Sequence, residues 1–112
     1  MGDENMSKYQ LKFWFEHGGF CIWSINDKAK EKYGYAIKND ALPISENLVK
    51  EIDALENEYA TYLNWDCPQE PSPWTKEHKA DFFYKATIVY QKLQKELGSD
   101  FEVTNEVSQC II

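Results

Sequence analysis

Tyr9-Gln10-Leu11-Lys12-Phe13-Trp14-Phe15-Glu16 alternates without a break. Tyr9, Leu11, Phe13 and Phe15 fall on one side and Gln10, Lys12, Trp14 and Glu16 on the other, the period of two of a half-buried strand. His17-Gly18-Gly19 follows, and Phe20-Cys21-Ile22-Trp23-Ser24-Ile25 reads as a second strand. Gly-Gly between two such runs signals a hairpin, because the tight primed turns need positive φ. A two-residue turn at Gly18-Gly19 pairs Phe15 with Ile22, Phe13 with Ser24 and Trp14 with Trp23. A four-residue loop keeps that register and a three-residue loop shifts it by one. In this register Cys21 and Ile25 share a face with Trp14 and Trp23, so both faces of the hairpin carry large apolar groups. The second face is then either covered by another element or left as an aromatic patch.

Beyond the hairpin the period changes to that of helices. Asn26 caps a short helix through about Tyr33, which Gly34 terminates. Tyr35 to Pro43 reads as an irregular connection pinned by Ile37, Leu42 and Ile44. Ser45 caps a helix to about Leu63, with Leu48, Ile52, Leu55, Tyr59 and Tyr62 on one face and Glu46 favoured by the dipole in the first turn. Residues 64–74 hold three prolines together with Trp65 and Trp74, a stiff extended loop. The favoured reading of this loop is a rigid cover over the helix ends; the other is an exposed recognition loop. Ser72 or Thr75 caps the next helix, which runs to Leu97 and stops at Gly98; Phe82, Ala86, Val89, Leu93 and Leu97 form its inner stripe, flanked by Phe83 and Tyr90. Asp100 to Val107 alternates again, with Phe101, Val103 and Val107 inward. The pattern predicts one α+β domain over residues 1–112, loosely ordered at 1–8 and 108–112. Its core is a small antiparallel sheet, the N-terminal hairpin plus the C-terminal strand, with two long helices packed on one face.

Composition narrows the function classes. The chain has 112 residues, 12 cations against 19 carboxylates and a formal charge of −7. Every cation is a lysine, which removes arginine fingers and bidentate arginine clamps. The negative charge repels phosphate backbones and argues against a nucleic-acid partner. No run of 18 apolar residues exists and the polar, acidic N-terminus is unlike a signal peptide, so no membrane partner is expected. The tail Gln109-Cys110-Ile111-Ile112 is not a prenylation box, since its cysteine is third from the end. An odd count of three cysteines, Cys21, Cys67 and Cys110, without metal-like spacing fits a reduced, cytoplasmic protein.

No catalytic constellation stands out. His17 and His78 have no nucleophile motif beside them and read as solvated surface groups. A zinc site from His17, Cys21, Cys67 and His78 would need irregular spacing, so no metal and no cofactor is expected. Gly18-Gly19 lacks the further glycines and the lysine of a phosphate cradle. Charge is concentrated instead: residues 39–70 hold eight carboxylates and one lysine, a net −7 equal to that of the whole chain. One reading is a solvated helix face. The other is a docking surface for a basic protein, in which charge speeds encounter and fixes orientation. On that reading the partner-binding residues are Glu51, Asp53, Glu56, Glu58 and Asp66, joined by Trp14 and Trp23 of the hairpin.

Three segments together carry a resemblance. They are Lys12-Phe13-Trp14-Phe15-Glu16 through Trp23-Ser24-Ile25-Asn26-Asp27, then Tyr33-Gly34-Tyr35 with Leu42-Pro43-Ile44-Ser45, and then Leu63-Asn64-Trp65-Asp66 through Pro71-Ser72-Pro73-Trp74. Over residues 10–106 the chain resembles a family of small acidic bacterial proteins similar to the immunity partners of polymorphic toxins. These include the type that protects against toxins ADP-ribosylating elongation factor Tu. The resemblance implies a cytoplasmic binder rather than an enzyme and assigns no functional residue. The function expected first is therefore a protein-binding immunity factor, monomeric when free, that neutralises a cognate toxin by direct contact. The alternative is a small-molecule-binding or enzymatic domain with an apolar pocket between sheet and helices.

Overall fold

The structure is a computed structural model and describes residues 8–16, 20–62 and 72–109. Its elements are β1 (Tyr9–Phe13), β2 (Ile22–Ser24), α1 (Asp27–Tyr33), β3 (Ala36–Ile37), α2 (Glu46–Tyr59), α3 (Lys76–Leu97) and β4 (Phe101–Asn105). They form an α+β domain, as the periodicities require. The sheet has four strands in the order β3-β2-β1-β4. It is mixed rather than antiparallel: β4 lies parallel to β1, with Tyr9 opposite Phe101 and Phe13 opposite Asn105. The chain leaves β2, passes through all three helices and returns on the far side of β1, so alternation in residues 100–107 gave the strand but not its direction. The ladder ends at Asn105, whose Oδ1 accepts from Val107 N, and Val107 is buried from a 3₁₀ turn, not from the strand.

The hairpin register differs from the expected one by two residues. Phe13 opposes Ile22, Lys12 opposes Trp23 and Leu11 opposes Ser24, while Trp14 N donates to Cys21 O at 2.9 Å. A shift of two preserves which face each side chain takes. Trp14 and Trp23 therefore stay on one face, but diagonally and not as a cross-strand pair. The turn itself, with Gly18, Gly19 and His17, lies outside the described residues.

Packing follows the apolar stripes. Phe15 meets Tyr59 of α2 at 5.5 Å and Phe82 of α3 at 5.1 Å between ring centroids. Phe82, Ala86, Val89, Leu93 and Leu97 are the buried face of α3, and Leu48, Ile52, Leu55 and Tyr59 that of α2. The caps are those the sequence offers: Asn26 accepts from Ala29 N, Ser45 from Leu48 N and Thr75 from His78 N. Asn26 also accepts from Gln10 N and donates to Lys8 O, which ties the start of α1 to β1. Helix α1 ends at Gly34, whose φ of 81° and ψ of 175° only glycine adopts readily. What reads as an irregular connection holds the short edge strand β3, paired with β2 through Ile37–Ile22 and Ala36–Trp23, and a 3₁₀ turn at Asn39–Ala41.

Candidate functional site

Helix α2 carries its carboxylates on two flanks, and the phase of the helix separates them. At about 100° per residue, Glu51 and Glu58 lie roughly 20° apart on one side of the buried stripe, and Asp53 and Glu56 lie on the other. The first pair faces α3. Glu58 accepts from Lys85 Nζ at 2.7 Å through Oε1 and meets His78 Nε2 at 2.8 Å through Oε2. Glu51 pairs with Lys92 at 2.8 Å. These bridges cross a groove of about 340 Å³ lined by Glu51, Ala54, Leu55, Glu58, Lys85 and Val89. Lys85 is held above its ordinary value, chiefly by the Glu58 carboxylate. His78 is therefore not simply solvated: it binds Glu58 and stacks on Trp74 at 4.0 Å. Trp74 is buried and donates from Nε1 to Thr61 Oγ1, and Ser72 Oγ donates to Tyr62 O, so this end of the Pro-rich loop is a cover over the helix ends. Trp65, Asp66 and Cys67 lie outside the described residues.

The second pair turns toward the β3 edge. Asn39, on the 3₁₀ turn, donates from Nδ2 to Asp53 Oδ1 at 2.8 Å and to Glu56 Oε1 at 3.2 Å. With Phe20, Ile37, Lys38, Asp40 and Val49 these residues line an open cavity of about 250 Å³. Burial raises the Glu56 carboxyl above its ordinary value and the neighbouring Asp53 adds to this, while hydrogen bonds from Cys21 and Asn39 pull it back. Cys21, expected as a small packing residue, is fully buried, and its thiol is one of the groups that hydrogen-bond the Glu56 carboxyl. Among the described residues no lysine forms an ion pair with Asp40, Asp53 or Glu56. No group of three or more His, Cys, Asp or Glu among them is placed to hold a metal ion.

The hairpin tryptophans sit on the sheet face away from Phe13 and Phe15. Trp23 is 9% exposed; its ring contacts Phe20 at 6.1 Å and Tyr35 at 5.3 Å, and its Nε1 donates to Trp14 O. Trp14 is half-buried beneath the Lys12 ammonium, 4.6 Å from its ring. Trp23 is thus a pillar, and Tyr35, 56% exposed, is the ring that meets solvent. Phe20 touches Trp23 and also lines the acidic cavity, so carboxylates and aromatic cluster are contiguous. Asn39, Phe20 and Tyr35 were not singled out from the sequence. An asparagine between the pinning residues Ile37 and Leu42 was the available signal.

Against this geometry, the family model of Serratia CdiI immunity protein-like proteins matches residues 9–106. The chain belongs to that family. The match spans every strand and helix described, including the β3 edge and the flanks of α2. No curated protein matches the chain. Within the described residues, no helix is long and apolar enough to cross a membrane. The space between sheet and helices is filled by Phe13, Phe15 and Phe82, all buried to 1% exposure or less.

Proposed function

We propose that this immunity-family protein neutralises a cognate toxin by binding it directly, without catalysis, and that the contact is centred on Asp40, Asp53 and Glu56 beside Phe20 and Tyr35. The carrying observation is the partition of charge on α2. Glu51 and Glu58 are compensated by lysines of α3, whereas Asp53 and Glu56 open onto a cavity with no lysine paired to them among the described residues. An uncompensated acidic cavity bordered by aromatics suits a basic partner: charge steers the encounter and a desolvated ring anchors it. Trp14 and Trp23 support that border from beneath, and Asp66 extends the acidic segment in sequence.

The test is co-purification with the product of the adjacent gene, followed by association kinetics at two salt concentrations. Asp40→Asn with Asp53→Asn is expected to slow association several-fold at low salt and to flatten its salt dependence, because screening acts on the same long-range charge. A toxin whose association rate ignores both substitutions and salt would overturn this docking face. The open aromatic face around Trp14 and Tyr35 would then take its place.

A further inference from the structure

The acidic cavity is unfinished in one specific respect. Both hydrogens of the Asn39 amide go to carboxylates, and its Oδ1 has no donor among the described residues, although Asn39 is only 8% exposed. A buried carbonyl without a donor is unfavourable, and such groups are rare in folded proteins. Acceptors dominate the polar wall around it, the carboxylates of Asp53, Glu56 and Asp40, with Lys38 the one cation in the lining. What fits such a wall is a cation rich in N–H donors. Three or more ligands of the kind a metal takes are not gathered at any one place among the described residues, which favours an organic cation. The remaining wall, Phe20, Ile37 and Val49, is apolar and suits a flat face on an aliphatic stem. The volume of about 250 Å³ is several times the roughly 30 Å³ share of one water in the liquid.

We propose that this cavity receives one guanidinium, the side chain of an arginine presented by the protein partner; the identity of its source rests on the toxin-binding reading above. Guanidinium brings five donors in a fixed plane, enough to meet Asn39 Oδ1 and two carboxylates at once, and it is more weakly hydrated than an ammonium. The chain holds no arginine that could fill the site from within. Its nearest cation, Lys38 on the rim, is exposed and forms no ion pair among the described residues.

The experiment titrates the full-length, ¹⁵N-labelled protein with N-acetylarginine amide and, separately, N-acetyllysine amide, following backbone and Asn39 side-chain amide resonances. Saturable shifts confined to residues 37–40, 53–56 and the Asn39 side chain are expected, with the arginine compound the tighter. Asp53→Asn, a substitution at an exposed position, should weaken the arginine compound about tenfold and leave the spectrum otherwise native. Asn39→Ala should remove the preference for arginine over lysine. Equal binding of the two compounds, no saturable shift, or shifts spread over the acidic surface would each overturn the guanidinium site. Should the arginine compound fail while Asp40→Asn/Asp53→Asn still slows the toxin, only this inference falls. Should it bind while the toxin ignores those substitutions, the docking face falls and the cavity's chemistry stands.

Discussion

Replacing Glu58 by glutamine separates the two kinds of acid on α2 in a single stability measurement. Glu58 is 22% exposed and holds two partners on different oxygens, His78 at 2.8 Å and Lys85 at 2.7 Å. Glutamine keeps the shape but offers one oxygen and turns an N–H₂ toward a donor. Hydrogen bonds to charged groups contribute about 1.5–3 kcal/mol when removed, and exposed ion pairs about 0.2–1 kcal/mol. Two partly screened bonds therefore place Glu58→Gln at about 2 kcal/mol. At about 2.1 cal/mol/K per residue of unfolding entropy, that lowers the Tm of a 112-residue domain by about 8 °C. Glu51→Gln is the control: its pair with Lys92 has side chains 41% and 48% exposed and should cost about 0.3 kcal/mol. Urea denaturation and calorimetry of both variants, with Lys85→Met closing a double-mutant cycle on Glu58, supply the numbers. The Lys85 contribution also has a pH signature. Its value is raised by folding, so the stabilisation is complete below its ordinary value of 10.5 and disappears as pH rises through the folded value. The gap between wild type and Glu58→Gln should narrow accordingly in strong alkali. Equal costs for Glu51 and Glu58, or a Glu58–Lys85 coupling below about 0.3 kcal/mol, would refute the claim that charge pairing helps hold α2 to α3.

Two further outcomes are expected. Glu56→Gln should stabilise the protein at neutral pH, because burial makes the charged carboxylate unfavourable in the fold; the gain should shrink as pH falls through the raised folded value and vanish below the ordinary 4.5, where both states are protonated. A pH-independent gain, or none at pH 7, contradicts this. Phe82→Ala should cost about 3–5 kcal/mol by denaturant titration, since Phe82 is fully buried against Phe15, Tyr59 and Trp74. A loss below about 1 kcal/mol would mean that the aromatic core collapses around the missing ring.

The helix caps, and both ends of α1 and α3, were legible because their signals are local, whereas α2 ends at Tyr59, short of the expected Leu63. Asn26, Ser45 and Thr75 cap as their chemistry dictates, and the α3 stripe of Phe82, Ala86, Val89, Leu93 and Leu97 is the buried set. The sheet was legible only in its faces. Period-two alternation assigns Leu11 and Phe13 to the core whichever partner stands opposite, and so a shift of two residues in the hairpin leaves no trace in the pattern. The direction of β4 depends on where the chain emerges from α3, which no pattern within residues 101–105 records. Edge strand β3 was missed because two paired residues, Ala36 and Ile37, are too few to show a period. The site shows the same divide. Helical phase alone separates Glu51 and Glu58 from Asp53 and Glu56, yet which flank meets lysines depends on the neighbour. Asn39 matters through two contacts 14 and 17 residues away in sequence.

That divide changes what the −7 of residues 39–70 means for recognition. A sum over sequence treats each carboxylate as equally available. In the folded chain, Lys85 and His78 engage Glu58 and Lys92 engages Glu51, so the field on that flank is largely compensated within a few ångströms. On the proposed reading, the charge left to steer a partner at the reach of a Debye length, about 8 Å, is that of Asp40, Asp53 and Glu56. Reversing Glu51, Asp53, Glu56 and Glu58 to lysine together would mix two effects. It would abolish the steering charge, and it would also set lysines against Lys85 and Lys92 across the α2–α3 groove. A slower association by that variant would then report a loosened fold as readily as a lost docking charge. Restricting substitution to the β3 flank avoids this, because the partners there are an amide and a thiol and not a second helix's cations. The useful division of this surface is therefore between acids the fold has compensated and acids it has left open, and the docking proposal rests on the second kind.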